Sequence, residues 1–272
     1  MTGRGGASYP PAVDIHSLAG RRALVCGGTQ GIGRAAAEEL ASRGASVVLF
    51  ARDAAALGRV CSELPGSGHV WLAADFHDNE AVRATAAAEV RDRGPIQILV
   101  NNTGGPPGGA ITEAAPDAFL AAFRAHVVNN QILAQSLIPG MKAAGYGRIV
   151  NVVSTSVREP IPGLGVSNTV RAAVAGWAKT LAGELAPFGI TVNNVLPGYT
   201  KTGRLDAIIE ARARAEGRTV DEVSRDLVAR IPAGRFGEAW EVAAAIGFLS
   251  SPAAGYVTGM SLPVDGGRIG SL

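Results

Sequence analysis

The chain has 272 residues, of which 47% are hydrophobic and 18% are charged, and its formal net charge is +2. This composition is typical of a compact globular protein, and no apolar run reaches the roughly 18 residues that a membrane span needs. Charges of both signs are interspersed along the chain, so nothing indicates a nucleic-acid-binding surface.

Two cysteines, Cys26 and Cys61, give neither a disulfide framework nor the spacing of a metal site. We therefore expect no metal and a reducing, cytoplasmic location. The Gly- and Pro-rich segment 1–16 is predicted to be a loose tail, and its first residues lack the apolar core of a signal peptide. Residues 17–272 are predicted to form a single domain.

Short apolar runs alternate with longer alanine-rich helical patterns along the rest of the chain. The predicted strands are 23–26, 46–50, 69–73, 96–100, 147–153, 191–196 and 261–264. The predicted helices are 34–43, 54–64, 79–93, 116–144 and 167–186. This alternation predicts a doubly wound α/β fold, in which a parallel sheet carries helices on both faces and binds ligands at the carboxyl ends of its strands.

The charged segment 202–233 interrupts the alternation. Its residue pattern is helical, and we expect it to be an insertion that lies over the binding cleft. The alternative interpretation is a solvent-facing hairpin of helices that has no part in the site.

The first predicted turn between a strand and a helix reads CGGTQGIG over residues 26–33. Gly27 suits a backbone conformation that other residues rarely adopt, Gly31 permits a close approach to a pyrophosphate, and Gly33 lets the helix pack tightly on the strand. The helix N-terminus offers free N–H groups and a positive dipole end. The turn predicts a site for a phosphate-bearing cofactor, although its first glycine gap is wider than in the usual dinucleotide fingerprint. A glycine-rich turn without a ligand is the alternative.

The end of the second predicted strand bears on which cofactor binds. An acidic side chain there would hold the ribose 2′-hydroxyl of NAD, whereas an arginine suits the 2′-phosphate of NADP. Arg52 stands next to the position of that acid, so we favour NADP(H), while Asp53 leaves NAD(H) open. After the third strand, Asp75 is placed to accept a hydrogen bond from the adenine amino group. At the end of the fourth strand, the polar side chains of 101–104 are placed to brace neighbouring strands and to line the cofactor cleft, with Asn101 as a candidate cofactor contact. A capping or turn role for the asparagines is the alternative.

Seven segments match one family in a shared order and spacing. They are CGGTQGIG at 26–33, DF at 75–76, NNTG at 101–104, GRIVNVVS at 147–154, ITVNNVLPG at 190–198, GRFGEAWEVA at 234–243 and VTGMSLPVDGG at 257–267. From about Leu18 to Gly267, the chain resembles the short-chain dehydrogenase/reductase family, and within it the 3-oxoacyl-carrier-protein-reductase-like members. The resemblance implies a single Rossmann-type domain that acts on a small-molecule substrate.

The resemblance also implies a mechanism. In the family, a tyrosine donates a proton to a carbonyl oxygen while nicotinamide delivers hydride, and a lysine four residues later lowers the tyrosine pKa and holds the nicotinamide ribose. A serine on the preceding strand orients the carbonyl. This serine is present as Ser154, but the tyrosine position holds Ser167 and the lysine position holds Arg171. The Tyr-x3-Lys motif is thus replaced by Ser-x3-Arg.

An asparagine of the family's long central helix supports a proton relay, and its position here holds His126. A shift of the alignment by one turn would bring Asn129 or Asn130 there instead. Since the pKa of histidine ordinarily lies near neutrality, His126 is our candidate for a substitute proton donor, and a structural helix histidine is the alternative. General acid catalysis is worth about 10²–10⁴-fold, so we expect hydride transfer without the tyrosine to be slower.

The remaining site residues follow from the same resemblance. Arg171 is expected to replace lysine as the ribose clamp, Thr202 to anchor the cofactor carboxamide, and Ile32, Pro197 and Gly198 to line the cofactor. The family also implies a homotetramer or homodimer, which is built through the central helices and the C-terminal strand region.

These observations leave two main functional hypotheses open. The first is an NADP(H)-dependent oxidoreductase that acts on a carbonyl or alcohol through an atypical proton-transfer site. The second is a catalytically inactive dinucleotide-binding protein that regulates or partners an active relative. Non-redox chemistry on the same fold, such as dehydration or isomerisation, is a third possibility.

Overall fold

A computed structural model describes residues 14–271 and contains a seven-stranded parallel sheet in the order β3-β2-β1-β4-β5-β6-β7. The strands β1 to β7 are, in chain order, Arg22–Cys26, Ser46–Ala51, Val70–Ala73, Ile98–Asn101, Gly147–Val152, Ile190–Pro197 and Ser261–Val264. The chain winds outward from β1 to β3 and then returns to β4 on the other side of β1. The strand order therefore reverses between β1 and β4, which is where doubly wound sheets bind ligands.

Helices cover both faces of this sheet. The helices α1 to α9 are, in chain order, Gly31–Ser42, Ala54–Glu63, Asn79–Arg93, Pro116–Phe123, Asn129–Ala144, Gly165–Leu185, Gly203–Glu216, Val220–Val228 and Ala239–Ser250. One apolar core joins α1, α2 and α9 to the sheet, with Leu40 and Ile246 fully buried. The other core joins α3, α5 and α6, with Leu133 and Ala178 at its centre. Because both faces are covered, the central strands are nearly continuous apolar runs.

The predicted doubly wound α/β fold is confirmed, and every predicted strand is present with bounds that differ by at most two residues at either end. The long predicted helix over 116–144 is interrupted by a π-helical segment, Arg124–Val128, between α4 and α5. A π segment accommodates one extra residue in a helix. The side-chain amide of Asn129, immediately after it, donates to the carbonyls of Phe76 and Ala125 at 2.7 and 3.3 Å.

A ladder of side-chain amides crosses four neighbouring strands at one level. Asn101 of β4 donates to Asn151 of β5 at 2.8 Å, Asn151 donates to Asn194 of β6 at 2.9 Å, and Asn194 donates to Ser261 of β7 at 3.1 Å. A slip of one residue would turn each of these polar groups to the other face, so the ladder fixes the register of this half of the sheet.

Segment 202–233 contains the paired helices α7 and α8, which pack chiefly on each other. Their shared apolar core is separate from the two sheet cores and consists of Leu205, Ile209, Ala213, Val223 and Leu227. A capping box in which Thr219 and Glu222 exchange hydrogen bonds begins α8. The helical pattern predicted for this segment is therefore confirmed, and its first residues reach the cleft, as described below. Its place as an insertion over the cleft stays a prediction.

The predicted loose tail over 1–16 lies mostly outside the described residues. Its last three residues, 14–16, belong to a turn in which the Asp14 carboxylate accepts from the backbone of His16 at 3.0 Å. The carbonyl of Ile15 accepts from Ala253 at 3.0 Å. Among residues 14–271, none of the helices has the length and hydropathy needed to cross a membrane.

Candidate active site

The glycine turn between β1 and α1 lies at the point where the strand order reverses. Gly27 and Gly31 have φ angles of +61° and +53°, which favour glycine. A Cβ at position 33 would stand 2.1 Å from the carbonyl oxygen of Gly27 and 2.6 Å from the side-chain nitrogen of Asn102. Position 33 therefore admits only glycine while the turn keeps this conformation.

Two neighbouring asparagines at the end of β4 have different surroundings. The Asn102 amide donates to the carbonyl of Cys26 at 3.3 Å, so it connects β4 to the glycine turn. Asn101, the residue predicted to line the cofactor cleft, is buried and belongs to the amide ladder. Neighbouring side chains of a strand point to opposite faces, and of these two only Asn102 contacts the glycine turn.

The Cys26 thiol is fully buried beneath the turn. Burial raises the pKa of this thiol to about 12, although the backbone N–H of Asn102 acts in the opposite direction. Cys26 is therefore a protonated packing residue, which fits neither a nucleophile nor a metal ligand. Within residues 14–271, no cluster of three or more His, Cys, Asp or Glu side chains could hold a metal ion.

Arg52 and Asp53, which follow β2, have different surroundings. Asp53 accepts from the backbone N–H of Ala56 at 3.0 Å and so caps α2. Arg52 is exposed at the end of the strand. After β3, Asp75 accepts from the backbone N–H of His77 at 2.9 Å. The carboxylate of Asp53 is thus engaged in a helix cap, and the guanidinium of Arg52 faces solvent.

The end of β6 brings further predicted residues to the same edge of the sheet. Pro197 is the last residue of β6, and Gly198 donates to the carbonyl of Val264 at 3.0 Å. Thr202 lies against the glycine turn, because its methyl carbon is 3.1 Å from the position that a Cβ of Gly31 would occupy. Ile32 packs partly buried against the first core. Residues from the ends of β1 and β6 therefore border one cleft.

The residues predicted to stand at the family's serine, tyrosine and lysine positions follow β5 and begin α6. The hydroxyl oxygen of Ser154 accepts from the backbone N–H of Ser156 at 3.0 Å, and Ser167 is buried in the first turn of α6. One turn later, Arg171 donates from Nη1 to the carbonyl of Val152 at 2.7 Å and from Nη2 to the carbonyl of Thr103 at 3.3 Å. Arg171 therefore connects the ends of β5 and β4.

The charge of Arg171 is retained at neutral pH. Burial, and secondarily the positive charge of Arg204, lower the pKa of Arg171 to about 10. This value is still well above neutrality, so the group is a fixed cation and a poor proton donor.

His126 lies in a buried environment close to a positive charge. The side chain lies in the π segment and is only 4% exposed. Burial first, and then the positive charge of Arg171, lower the pKa of His126 to about 3, against the opposing effect of a hydrogen bond with the Gly104 backbone. The imidazole is therefore neutral near pH 7 in the free protein, and a proton-donor role for His126 stays a prediction.

Arg204 is a cleft residue that the sequence reasoning missed. It lies at the start of α7, and its Nη2 donates to the carbonyl of Pro106 at 2.7 Å, in the loop after β4. The sequence signal that could have identified Arg204 was its position two residues after Thr202, a predicted cofactor contact.

Comparison with known proteins agrees with this geometry. A profile of the family described as enoyl-(acyl carrier protein) reductase matches residues 27–268. The protein belongs to the short-chain dehydrogenase/reductase family. The resemblance inferred from the seven motifs is confirmed at the level of the family.

Similar proteins of known name are oxidoreductases. The chain is 33% identical over 250 residues to 3-oxoacyl-[acyl-carrier-protein] reductase of Haemophilus influenzae, which covers 92% of this chain and 98% of the relative. It is 35% identical over 266 residues to gluconate 5-dehydrogenase of Gluconobacter oxydans, with coverages of 95% and 98%. L-Sorbose reductase of Gluconobacter frateurii, solved with NADPH and L-sorbose, superposes with a TM-score of 0.89 at 30% identity and covers 95% of this chain and 100% of that one.

We predict that Gly33→Ala weakens NADPH binding at least about tenfold and destabilises the fold by about 1–3 kcal/mol, because the new Cβ would overlap the carbonyl of Gly27. Fluorescence titration with NADPH and urea unfolding measure the two effects. The matched control is Gly58→Ala within α2, where a Cβ would lie 3.9 Å from the Trp71 indole nitrogen. The control should keep wild-type binding and gain about 0.5–1 kcal/mol of stability. Equal binding by both variants would contradict the steric argument.

The buried imidazole predicts a pH dependence of stability. The pKa of His126 lies at about 3 in the folded protein, below the ordinary value of 6.5. Between these values only the unfolded chain binds the proton, so the free energy of unfolding falls as the pH is lowered. In wild type this effect should lower the free energy of unfolding by about 2 kcal/mol between neutrality and about pH 5. His126→Gln should remove this contribution.

Urea unfolding of wild type and His126→Gln across this pH range measures the difference in slope. The control is His16→Gln, which changes an exposed side chain and leaves His126 in place. The control should follow the wild-type slope. If His126→Gln also follows it, the imidazole does not titrate as described.

Proposed function

We propose that this protein is an NADP(H)-dependent oxidoreductase that interconverts a carbonyl group and an alcohol, with a proton-transfer site unlike that of its family. The observation that carries the proposal is the meeting of the glycine turn, Thr202, Ser154 and Arg171 at one edge of the sheet. The NADPH-bound L-sorbose reductase, which has the same fold, supports this assignment.

The residues present fit a dinucleotide. Neighbouring atoms lie so close to Gly31 and Gly33 that either position has little room for a side chain. The backbone beside the N-terminus of α1 is therefore bare. The N-cap residue of that helix, Gln30, makes no side-chain hydrogen bond to the helix, so its first N–H groups are available to a pyrophosphate. After β2, Asp53 caps α2 and Arg52 is exposed. This arrangement favours binding of a 2′-phosphate over a free 2′-hydroxyl.

Further cofactor contacts in the proposal follow the predicted assignments. They are Gly27, Ile32, Asp75, Pro197, Gly198, Thr202 and the ribose clamp Arg171. Asn102 replaces Asn101 in the proposed cleft lining, because the Asn101 side chain is committed to the amide ladder.

When bound, the nicotinamide supplies or accepts the hydride. The Ser154 oxygen accepts a backbone hydrogen bond, so its O–H is available to donate to a substrate carbonyl. Arg171, held by two backbone carbonyls, is placed to hold the nicotinamide ribose. Ser167 occupies the position of the family's acid, but an aliphatic hydroxyl is a much weaker acid than a phenol, which limits the rate.

A second candidate is a non-catalytic member that binds the dinucleotide and acts through a partner. Three observations favour it together. Ser167 is a poor acid, Arg171 remains protonated, and the His126 imidazole is neutral near pH 7. In this case the cofactor site would have a structural or regulatory role.

We also propose a homotetramer or homodimer in a reducing, cytoplasmic compartment. Large apolar side chains are exposed on α4, where Leu120 is 56% and Phe123 is 44% exposed. Others lie on α9 and before β7, where Trp240 is 66% and Met260 is 45% exposed. Such patches are typical of protein interfaces. The free Cys26 and Cys61 fit a reducing environment.

The cofactor assignment predicts that Arg52→Ala weakens NADPH binding about tenfold or more and leaves NADH binding nearly unchanged, since only NADPH carries the 2′-phosphate. Parallel titrations with the two cofactors measure this. The control is Arg59→Ala, which removes an exposed guanidinium from α2 and should bind both cofactors as wild type does. Preferential binding of NADH by the wild type would overturn the assignment.

The proton-transfer assignment predicts that wild type reduces carbonyl compounds slowly and that the double variant Ser167→Tyr with Arg171→Lys reduces them about 10²–10⁴-fold faster. Turnover of a panel of ketones and quinones with NADPH measures this. The control is Ser167→Phe with Arg171→Lys, which supplies the ring without the hydroxyl and should stay slow.

Activity that appears only in the restored double variant would favour the non-catalytic candidate. NADPH binding by each variant is measured alongside turnover, so that a damaged cofactor site is recognised separately. Failure of the wild type to bind either cofactor would refute both candidates.

A further inference from the structure

Two guanidinium groups converge over Gly105, in the loop after β4. A Cβ at Gly105 would lie 3.4 Å from Nη2 of Arg204 and 3.8 Å from Nη2 of Arg171. Arg171 reaches this point from α6, on the sheet side, and Arg204 reaches it from α7 of the inserted pair. The two cations therefore flank one small volume in which glycine supplies no side chain.

In the part of the chain that the structure describes, the charges of Arg171 and Arg204 have no acidic partner. Within residues 14–271, no carboxylate lies within 4.0 Å of either guanidinium, whereas the buried Glu89 pairs with both Arg22 and Arg93. The polar contacts of Arg171 and Arg204 are three backbone carbonyls, those of Val152, Thr103 and Pro106. Two like charges near one point repel each other, and an anion between them would relieve that repulsion.

Both groups retain the means to bind such an anion. A guanidinium has five N–H donors, and the carbonyl contacts use two of them in Arg171 and one in Arg204. The planar fork of a guanidinium matches the two oxygens of a carboxylate. The carbonyl contacts also hold each fork in place, which reduces the entropy lost when a ligand binds.

We propose that Arg171 and Arg204 form a carboxylate subsite, so that the substrate is an anionic carbonyl compound, an oxo acid or the corresponding hydroxy acid. This inference rests on the proposed oxidoreductase function. Arg171 lies one turn along α6 from Ser167, so the carboxylate would bind beside the reacting carbonyl. The glycine turn and the N-terminus of α1 already provide for the cofactor pyrophosphate. Arg171 keeps three N–H donors beyond its two carbonyl contacts, so it would serve both the nicotinamide ribose and the carboxylate, whereas Arg204 would serve the carboxylate alone.

The test compares 2-oxo to 5-oxo acids with their methyl esters as substrates for NADPH-dependent reduction. Wild type should show a kcat/KM at least about tenfold higher for one acid than for its ester, since a charge-assisted hydrogen bond is lost in the ester. Arg204→Leu should lower kcat/KM for that acid about 10–100-fold, leave the ester unchanged and keep the Kd for NADPH within about twofold. Arg204→Lys should recover part of the loss. Arg204 is exposed, so these variants are expected to fold.

The matched control is Arg214→Leu, which removes a 73% exposed guanidinium from the same helix α7. It should behave as wild type with acids and esters. Equal kcat/KM for acids and esters would overturn the carboxylate subsite and leave the oxidoreductase function intact. If Arg204→Leu loses NADPH affinity and its kcat/KM falls equally for acids and esters, the anion bound between the two arginines belongs to the cofactor. That result would also overturn the subsite.

A binding measurement separates failure of the subsite from failure of the proposed function. If no carbonyl compound is turned over, calorimetry with the same oxo acids and esters on the NADP⁺ complex decides the matter. Binding of an acid but not its ester, weakened in Arg204→Leu and unchanged in Arg214→Leu, supports the subsite without activity. Absence of binding by every acid overturns it.

Discussion

The carbonyl oxygen of Gly27 occupies the space that a side chain at position 33 would need, so the glycine turn closes directly onto the first turn of α1. The Asn102 amide joins this contact from β4. The closed turn holds β1, α1 and β4 in contact at the point where the strand order reverses. The proposed cofactor contacts and the proposed carbonyl site are both built outward from this point.

The two halves of the site rest on different kinds of groups. The proposed cofactor half depends on backbone, namely glycines, a helix N-terminus and the strand ends, and these follow from the fold itself. The proposed chemical half depends on individual side chains, such as Ser154, Ser167 and Arg171. Arg171 also connects β4 and β5, through two backbone carbonyls.

Sequence patterns predicted the strands, the glycine turn and the family, since these depend on local periodicity and on motifs that are contiguous in the chain. They could not predict which of two adjacent asparagines faces the cleft, because that depends on where the strand ends. They also could not predict the burial of His126 beside Arg171, which lowers the pKa of the imidazole. The meeting of Arg171 and Arg204 was out of reach, because it joins positions on two helices that only the folded chain brings together.

The apolar core that α7 and α8 share is separate from both sheet cores. Cooperative units of this kind open and close at their own free energy, below that of the whole domain. Changes within 202–233 therefore act mainly on the inserted pair and place little demand on the sheet. Since Arg204 belongs to that pair, substrate preference and the stability of the sheet can be selected separately during evolution.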